Sequence, residues 1–207
     1  MKAFTVLKAV LLGVSLWAVA PAYGYEMTHD YYNRFRSPYK NNVYLSQQVH
    51  AAQSDVSLGS ENASSQRMNG YGLQLSAGLE HFRFIQTGAF FSTTQMNNPE
   101  IGGNELRQVD TGVETRMVMS TPVSNIVVGG AAVVSRANLN IENERLALSG
   151  AGFRGIFEIS YYASTQVSLV LGANHTIANF SGKNSKGEAV KPVTRTTRLG
   201  AGLTVWL

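Results

Sequence analysis

The chain has 207 residues, with 17 Lys and Arg against 13 Asp and Glu, four His and no Cys. Without cysteine there are no disulfides, no thiolate metal sites and no lipoprotein anchor. Setting aside Lys2 and Lys8 lowers the formal charge from +4 to about +2, and no basic stripe of the kind that binds nucleic acid remains.

The first element is a leader. Residues 1–24 read M-K-A-F-T-V-L-K-A-V-L-L-G-V-S-L-W-A-V-A-P-A-Y-G. Lys2 and Lys8 precede an apolar run, 9–20, too short for a comfortable membrane helix. Small residues follow at Ala20, Ala22 and Gly24, so a secretory signal cut after Ala22 or Gly24 is expected. Residues 25–41, Y-E-M-T-H-D-Y-Y-N-R-F-R-S-P-Y-K-N, are aromatic and mixed in charge. They read as a periplasmic lead-in, with an interfacial element through Tyr31, Tyr32 and Phe35 as the alternative. No later stretch is apolar for long enough to span a membrane as a helix.

From residue 42 onward the chain alternates with a period of two, the signature of strands with two unlike faces. Eight runs are predicted: 43–53, 71–79, 82–93, 109–119, 126–137, 151–161, 167–177 and 199–207. The second is the clearest, with Tyr71, Leu73, Leu75, Ala77 and Leu79 against Gly72, Gln74, Ser76, Gly78 and Glu80. The fourth sets Val109, Val113 and Met117 against Asp110, Glu114 and Arg116. The sixth sets Phe153, Phe157 and Ile159 against Arg154 and Glu158. In the third and fifth runs the register is ambiguous. Short connections are expected near 80–81, 121–124 and 163–165, and longer polar ones at 54–67, 95–104, 138–145 and 179–192.

This rhythm is that of an all-β, eight-stranded antiparallel up-and-down transmembrane barrel over 42–207, with apolar residues facing lipid. A soluble barrel would need an apolar interior, and the face carrying glycines and charges is expected to form no dry core. Eight strands leave a lumen only wide enough for side chains to fill. Glu80, Asp110, Glu114, Arg116, Arg154, Glu158 and Arg198 point there and must pair, since an isolated buried charge is costly. Arg154 is expected to hold Glu114 or Glu158. A salt-bridged plug is the first reading, and a narrow low-conductance ion path through the same charges is the alternative.

The last run, Leu199, Ala201, Leu203, Val205, Trp206 and Leu207, resembles the C-terminal assembly signal of outer-membrane barrels. Those usually finish on Phe; here Leu207 ends the chain beside Trp206. The whole arrangement resembles the small eight-stranded family that includes the OmpA membrane domain and OmpX. The resemblance implies a monomer in a Gram-negative outer membrane, in contact with the barrel-assembly machinery, membrane lipid and lipopolysaccharide, with a structural or surface-interaction role through its outer loops. One such loop holds Lys183, Lys186 and Lys191 against Glu188, a candidate contact for lipopolysaccharide phosphates.

The competing class is an enzyme. Outer-membrane lipid A deacylases are also eight-stranded and use a His-x-Ser motif. The nearest match here, His175-Thr176-Ile177, lacks the serine. His50 and His81 have no serine or carboxylate spaced as a partner, so no nucleophile–base–orienter set is expected. No His, Asp and Glu cluster has metal-ligand spacing, and no cofactor is expected.

Overall fold

The computed structural model describes residues 42–57, 65–81, 84–98, 103–120, 124–141, 144–163, 166–184 and 187–207. The expected leader and the segment 25–41 lie outside these residues. The elements are β1 (Asn42–Ser57), β2 (Gln66–His81), β3 (Ile85–Asn97), β4 (Glu105–Ser120), β5 (Ser124–Ile141), β6 (Glu144–Tyr162), β7 (Val167–Lys183), β8 (Ala189–Val190) and β9 (Val193–Trp206). The long strands pair antiparallel with their neighbours in chain order, and β9 returns to β1 from Tyr44↔Trp206 to Ser57↔Val193. Eight long strands thus close an up-and-down barrel, while β8 is a two-residue extension paired with β7. Closure gives the edge strands their partners, which a sheet in hydrocarbon requires.

Asn42 and Leu207 lie at one end, called here the terminal end, together with the short connections 82–84, 121–123 and 163–166. The opposite, loop end carries the connections 58–65, 98–104, 142–143 and 184–192.

Along the terminal-end part of the long strands most outward positions are apolar, with Gln47, Thr87, Thr115 and His175 among the exceptions. Leu75, Phe91, Val113, Val134, Phe153, Phe157, Leu171 and Leu199 are all exposed. Many inward positions over the same stretch are polar, charged or glycine: Gln48, Gln74, Glu114, Arg154 and Arg198 are buried there, beside a small apolar group of Phe90, Ala131, Val133 and Ile156. An exposed apolar belt around a polar interior is the inverse of a water-soluble barrel and suits a hydrocarbon surrounding. The register that was ambiguous is now fixed. Even-numbered residues of β3 and odd-numbered residues of β5 point inward.

At the loop end the strands run further than their sequence suggests. β1 and β2 continue to Ser57 and from Gln66; β3 and β4 continue to Asn97 and from Glu105. The expected long loop at 138–145 is instead strand, with only 142–143 between β5 and β6. Half of the expected 179–192 loop is likewise occupied by the end of β7 and by β8. β3 begins at Ile85 rather than 82.

These extensions have inverted polarity. Their inward residues are Val56, Met68, Met96, Leu106, Leu139, Ile141, Leu146, Leu148 and Phe180, which form one buried cluster with Ala52, Ala137 and Ala178. Their outward residues are polar: Gln53, Asp55, Arg67, Asn69, Gln95, Arg107, Arg136, Asn138, Asn179 and Arg195. The expectation that the inward face forms no dry core is therefore corrected for the loop end. There the barrel is an ordinary soluble one, apolar inside and polar outside.

Candidate functional site

Two layers of ionised side chains fill the lumen beneath the apolar cluster. The upper layer centres on Asp110 of β4. Its Oδ2 accepts from Arg154 Nη2 at 2.9 Å and from Arg198 Nη2 at 2.6 Å. Its Oδ1 accepts from Ser135 Oγ at 2.6 Å and Gln108 Nε2 at 2.8 Å. Remaining donors of the two guanidiniums are also placed. Arg154 donates Nη1 to Gln74 Oε1 and Nε to Thr176 Oγ1, both at 3.0 Å. Arg198 donates Nη1 to the same Thr176 at 2.9 Å and Nε to Thr94 at 3.2 Å. The Arg154 guanidinium also lies 4.0 Å from the Phe90 ring centroid. Arg154 and Asp110 are 0% exposed. Charges so buried persist only with this degree of pairing and hydrogen bonding.

The lower layer is its complement in charge. Arg116 reaches Glu114 at 2.7 Å and Glu158 at 2.8 Å. Gln48 donates to Glu158 at 2.7 Å and Tyr44 Oη to Glu114 at 3.1 Å. Tyr44 fits because its ring lies against Gly78 and Gly88. A β-carbon at those positions would sit 2.7 and 2.5 Å from the Tyr44 hydroxyl. Two arginines over one aspartate stand above one arginine between two glutamates, so the two layers together are neutral. Toward the terminal end a cavity of about 20 Å³, lined by Tyr44, Arg116, Glu158 and Trp206, has room for about one water.

Six of the seven charged residues singled out in the sequence fall in these layers. Glu80 stands apart near the terminal end, where Gln86 donates to it at 3.1 Å. The expected partners differ from the observed ones: Arg154 bonds Asp110, while Glu114 and Glu158 share Arg116. Arg154 stands level with Glu114 across Ala131 of β5, but its side chain reaches four residues further along β4, to Asp110. Sequence reading missed Gln48, Gln74, Thr94, Ser135 and Thr176, neutral groups that bond to the charges of the two layers. Their only sequence signal is an inward parity shared with the charges.

On the outward face His175 is exposed, with Nδ1 2.9 Å from Thr197 Oγ1. His50 points inward to Thr94 at 3.1 Å, and His81 meets Thr87 at 2.8 Å. Among the described residues no group of His, Asp and Glu is placed to hold a metal. Lys183 and Lys191 are exposed at the loop end; Lys186 lies outside the described residues. In the terminal strand Leu199, Ala201 and Leu207 are exposed, and Leu203 and Val205 are partly so. Trp206 turns inward, its ring 5.9 Å from Tyr44 and its Nε1 donating to Ser168 Oγ at 3.4 Å.

No protein-family model matches the sequence, and no curated protein matches it significantly. Solved structures do match. The crystal structure of Neisserial surface protein A superposes with a TM-score of 0.58 at 17% identity, covering 80% of this chain and 99% of that one. The outer membrane protein OprG from Pseudomonas aeruginosa gives 0.51 at 9% identity, covering 80% and 96%. At such identities the likeness is one of fold. The closed barrel, the apolar belt and these neighbours together give one conclusion: the chain has the fold of the small eight-stranded outer-membrane β-barrels.

Proposed function

We propose that this is an outer-membrane surface protein whose barrel is a sealed anchor and whose working surface is the loop end, facing outward. One observation carries the reading: the lumen is stopped twice in series. The saturated Asp110–Arg154–Arg198 layer lies below a cluster in which Met68, Met96, Leu106 and Leu139 are each 0% exposed. An ion would have to displace both, and the second is mainly apolar, with Ser54, Gln108 and Thr194 the polar side chains buried at its edge. The plug is therefore favoured over the low-conductance pore.

In this reading a signal peptide delivers the chain and the terminal strand is what the barrel-assembly machinery recognises. The protein works as a monomer without a cofactor. No catalytic role is assigned. His175 is bonded to a threonine, with no carboxylate orienting it, so nothing there completes a nucleophile–base–orienter set. Lipopolysaccharide contact by Lys183, Lys186 and Lys191 remains part of the proposal. The loop end is polar outside and carries Lys183 and Lys191 beyond the apolar belt.

Conductance of the refolded chain in planar bilayers tests the seal. No steady channel is expected. Stable ion-selective channels that disappear in Arg154→Ala would replace the plug with the pore. Mass analysis of lipid A from cells with and without the protein tests the non-catalytic role, and an unchanged profile is expected.

A further inference from the structure

The outward charges of the barrel are distributed very unevenly. At the loop end the outward strand positions hold Arg67, Arg107, Arg136, Arg145, Lys183 and Arg195 against only Asp55 and Glu105. Below them, through the apolar belt to the terminal end, no described outward strand position carries Asp, Glu, Lys or Arg. The cations also differ among themselves. Asp55 forms an ion pair with Arg67 at 3.5 Å and stands opposite Arg195 across β1 and β9. Arg107 gives its Nε to Glu105 at 2.7 Å, on an oxygen that also accepts from Gln95 at 2.8 Å, so it shares that carboxylate. Arg136, among the described residues, has no acidic partner.

Arg107 and Arg136 are diagonal neighbours on β4 and β5, since Val109 stands opposite Arg136 and Arg107 opposite Asn138. Diagonal positions about 7–8 Å apart are within reach of long side chains on one face. Directly below Arg136 on the same face is Val134, 60% exposed, with Thr111 and Ala151 opposite it on the two flanking strands. Two guanidiniums thus stand on the first polar step above bare hydrocarbon-facing surface.

The geometry points to a seat for one molecule of an anionic amphiphile of the outer leaflet. Its phosphate lies between Arg107 and Arg136, and its acyl chains lie along the β4–β5 face below. Guanidinium is the side chain suited to forked hydrogen bonding of phosphate. The adjoining apolar face selects a lipid over a soluble polyanion, because only a lipid satisfies both surfaces at once. This rests on the reading that the loop end faces outward, and deepens it by naming the partner of one sector.

The test uses the full refolded chain in phosphatidylcholine nanodiscs containing a low mole fraction of purified diphosphoryl lipid A, with retained lipid measured by native mass spectrometry. Dephosphorylated lipid A and soluble inorganic tripolyphosphate are the comparison probes. Each basic side chain near an anionic surface contributes on the order of 1 kcal/mol, so Arg107→Gln with Arg136→Gln is expected to weaken lipid A binding about thirtyfold at low salt. Arg136→Gln alone is expected to weaken it about fivefold on the same scale. Arg67→Gln with Arg195→Gln, in the sector holding Asp55, should weaken it far less. Dephosphorylated lipid A should bind weakly and alike to all variants. Heat-modifiable gel mobility confirms that each variant has folded. Equal losses in the two double variants, or no loss in either, would overturn the seat. So would tripolyphosphate competing as well as lipid A, which would make the site one for soluble polyanions. Labelling of the loop end on intact cells tests the orientation separately. A loop end inaccessible from outside would remove the underlying reading, whereas accessible loops with unchanged lipid A binding would remove only the seat.

Discussion

The two ends of each strand obey one rule with opposite signs. On β5, Val134 and Arg136 are consecutive residues of the outward face, one exposed to the surroundings of the belt and the other two positions nearer the loop end. On the inward face of the same strand Ser135 bonds Asp110, and four residues later Leu139 is fully buried among apolar neighbours. The backbone does not change, since the ladder with β4 and β6 runs unbroken through this point. What changes is the solvent outside. Where the outside is hydrocarbon, the outward residues are apolar and the charged layers go in, beside the small Phe90, Ala131, Val133 and Ile156 cluster; where it is water, the outward residues are polar and the larger apolar cluster goes in. The place at which the pattern flips marks the upper edge of the hydrocarbon without any reference to loops.

The two interiors break differently. Asp110→Ala should be the most damaging single change, because it leaves Arg154 and Arg198 buried without a counter-charge. Loss of about 3–5 kcal/mol is expected on the scale of broken buried ion pairs, read from urea unfolding followed by gel mobility. Arg154→Ala should also destabilise, by stripping Asp110 of one partner. If Asp110→Ala unfolds at the wild-type urea concentration, the upper layer does not hold the barrel. In the other interior, Leu139→Ala should cost about 2–5 kcal/mol, the usual penalty for emptying a packed aliphatic site. A cost below about 0.5 kcal/mol, typical of surface substitutions, would mean that the loop-end interior is not packed.

The outer faces should differ as sharply. Leu75→Arg places a charge on the belt and should cost about 2–4 kcal/mol if it lies near the bilayer midplane. Asn138→Arg places the same charge on the loop-end tier of β5 and should change stability by less than about 0.5 kcal/mol. Similar effects at the two positions would erase the boundary between the regions.

The belt was legible in the sequence because its alternation is strong and consistent. Tyr71 to Leu79 on β2 and Phe153 to Ile159 on β6 could hardly be read otherwise. The loop-end extensions were hidden by the same expectation. Residues 138–145, N-L-N-I-E-N-E-R, look like a polar loop to a reader seeking apolar residues on the outward parity. Yet Leu139, Ile141, Leu146 and Leu148 alternate just as regularly, on the other parity. The signal was present, and its sign was the surprise. Pairing within the lumen was less accessible. Which acid Arg154 meets depends on the stagger of β4 against β6 across the lumen and on how far an arginine reaches. Neither is encoded in any local run, so Glu114 or Glu158 is expected where Asp110 is the partner.

Backbone hydrogen exchange, resolved by residue in a bilayer mimic, tests most directly whether the barrel continues as a dry, closed structure beyond the hydrocarbon. In a continuous barrel the amides of 136–141 and 144–149 are strand-bonded around an apolar interior. They should exchange nearly as slowly as those of 127–133 within the belt, and far more slowly than an unprotected amide. Exchange at 136–141 and 144–149 as fast as that of unprotected amides would contradict the closed extension, and with it the second seal of the lumen.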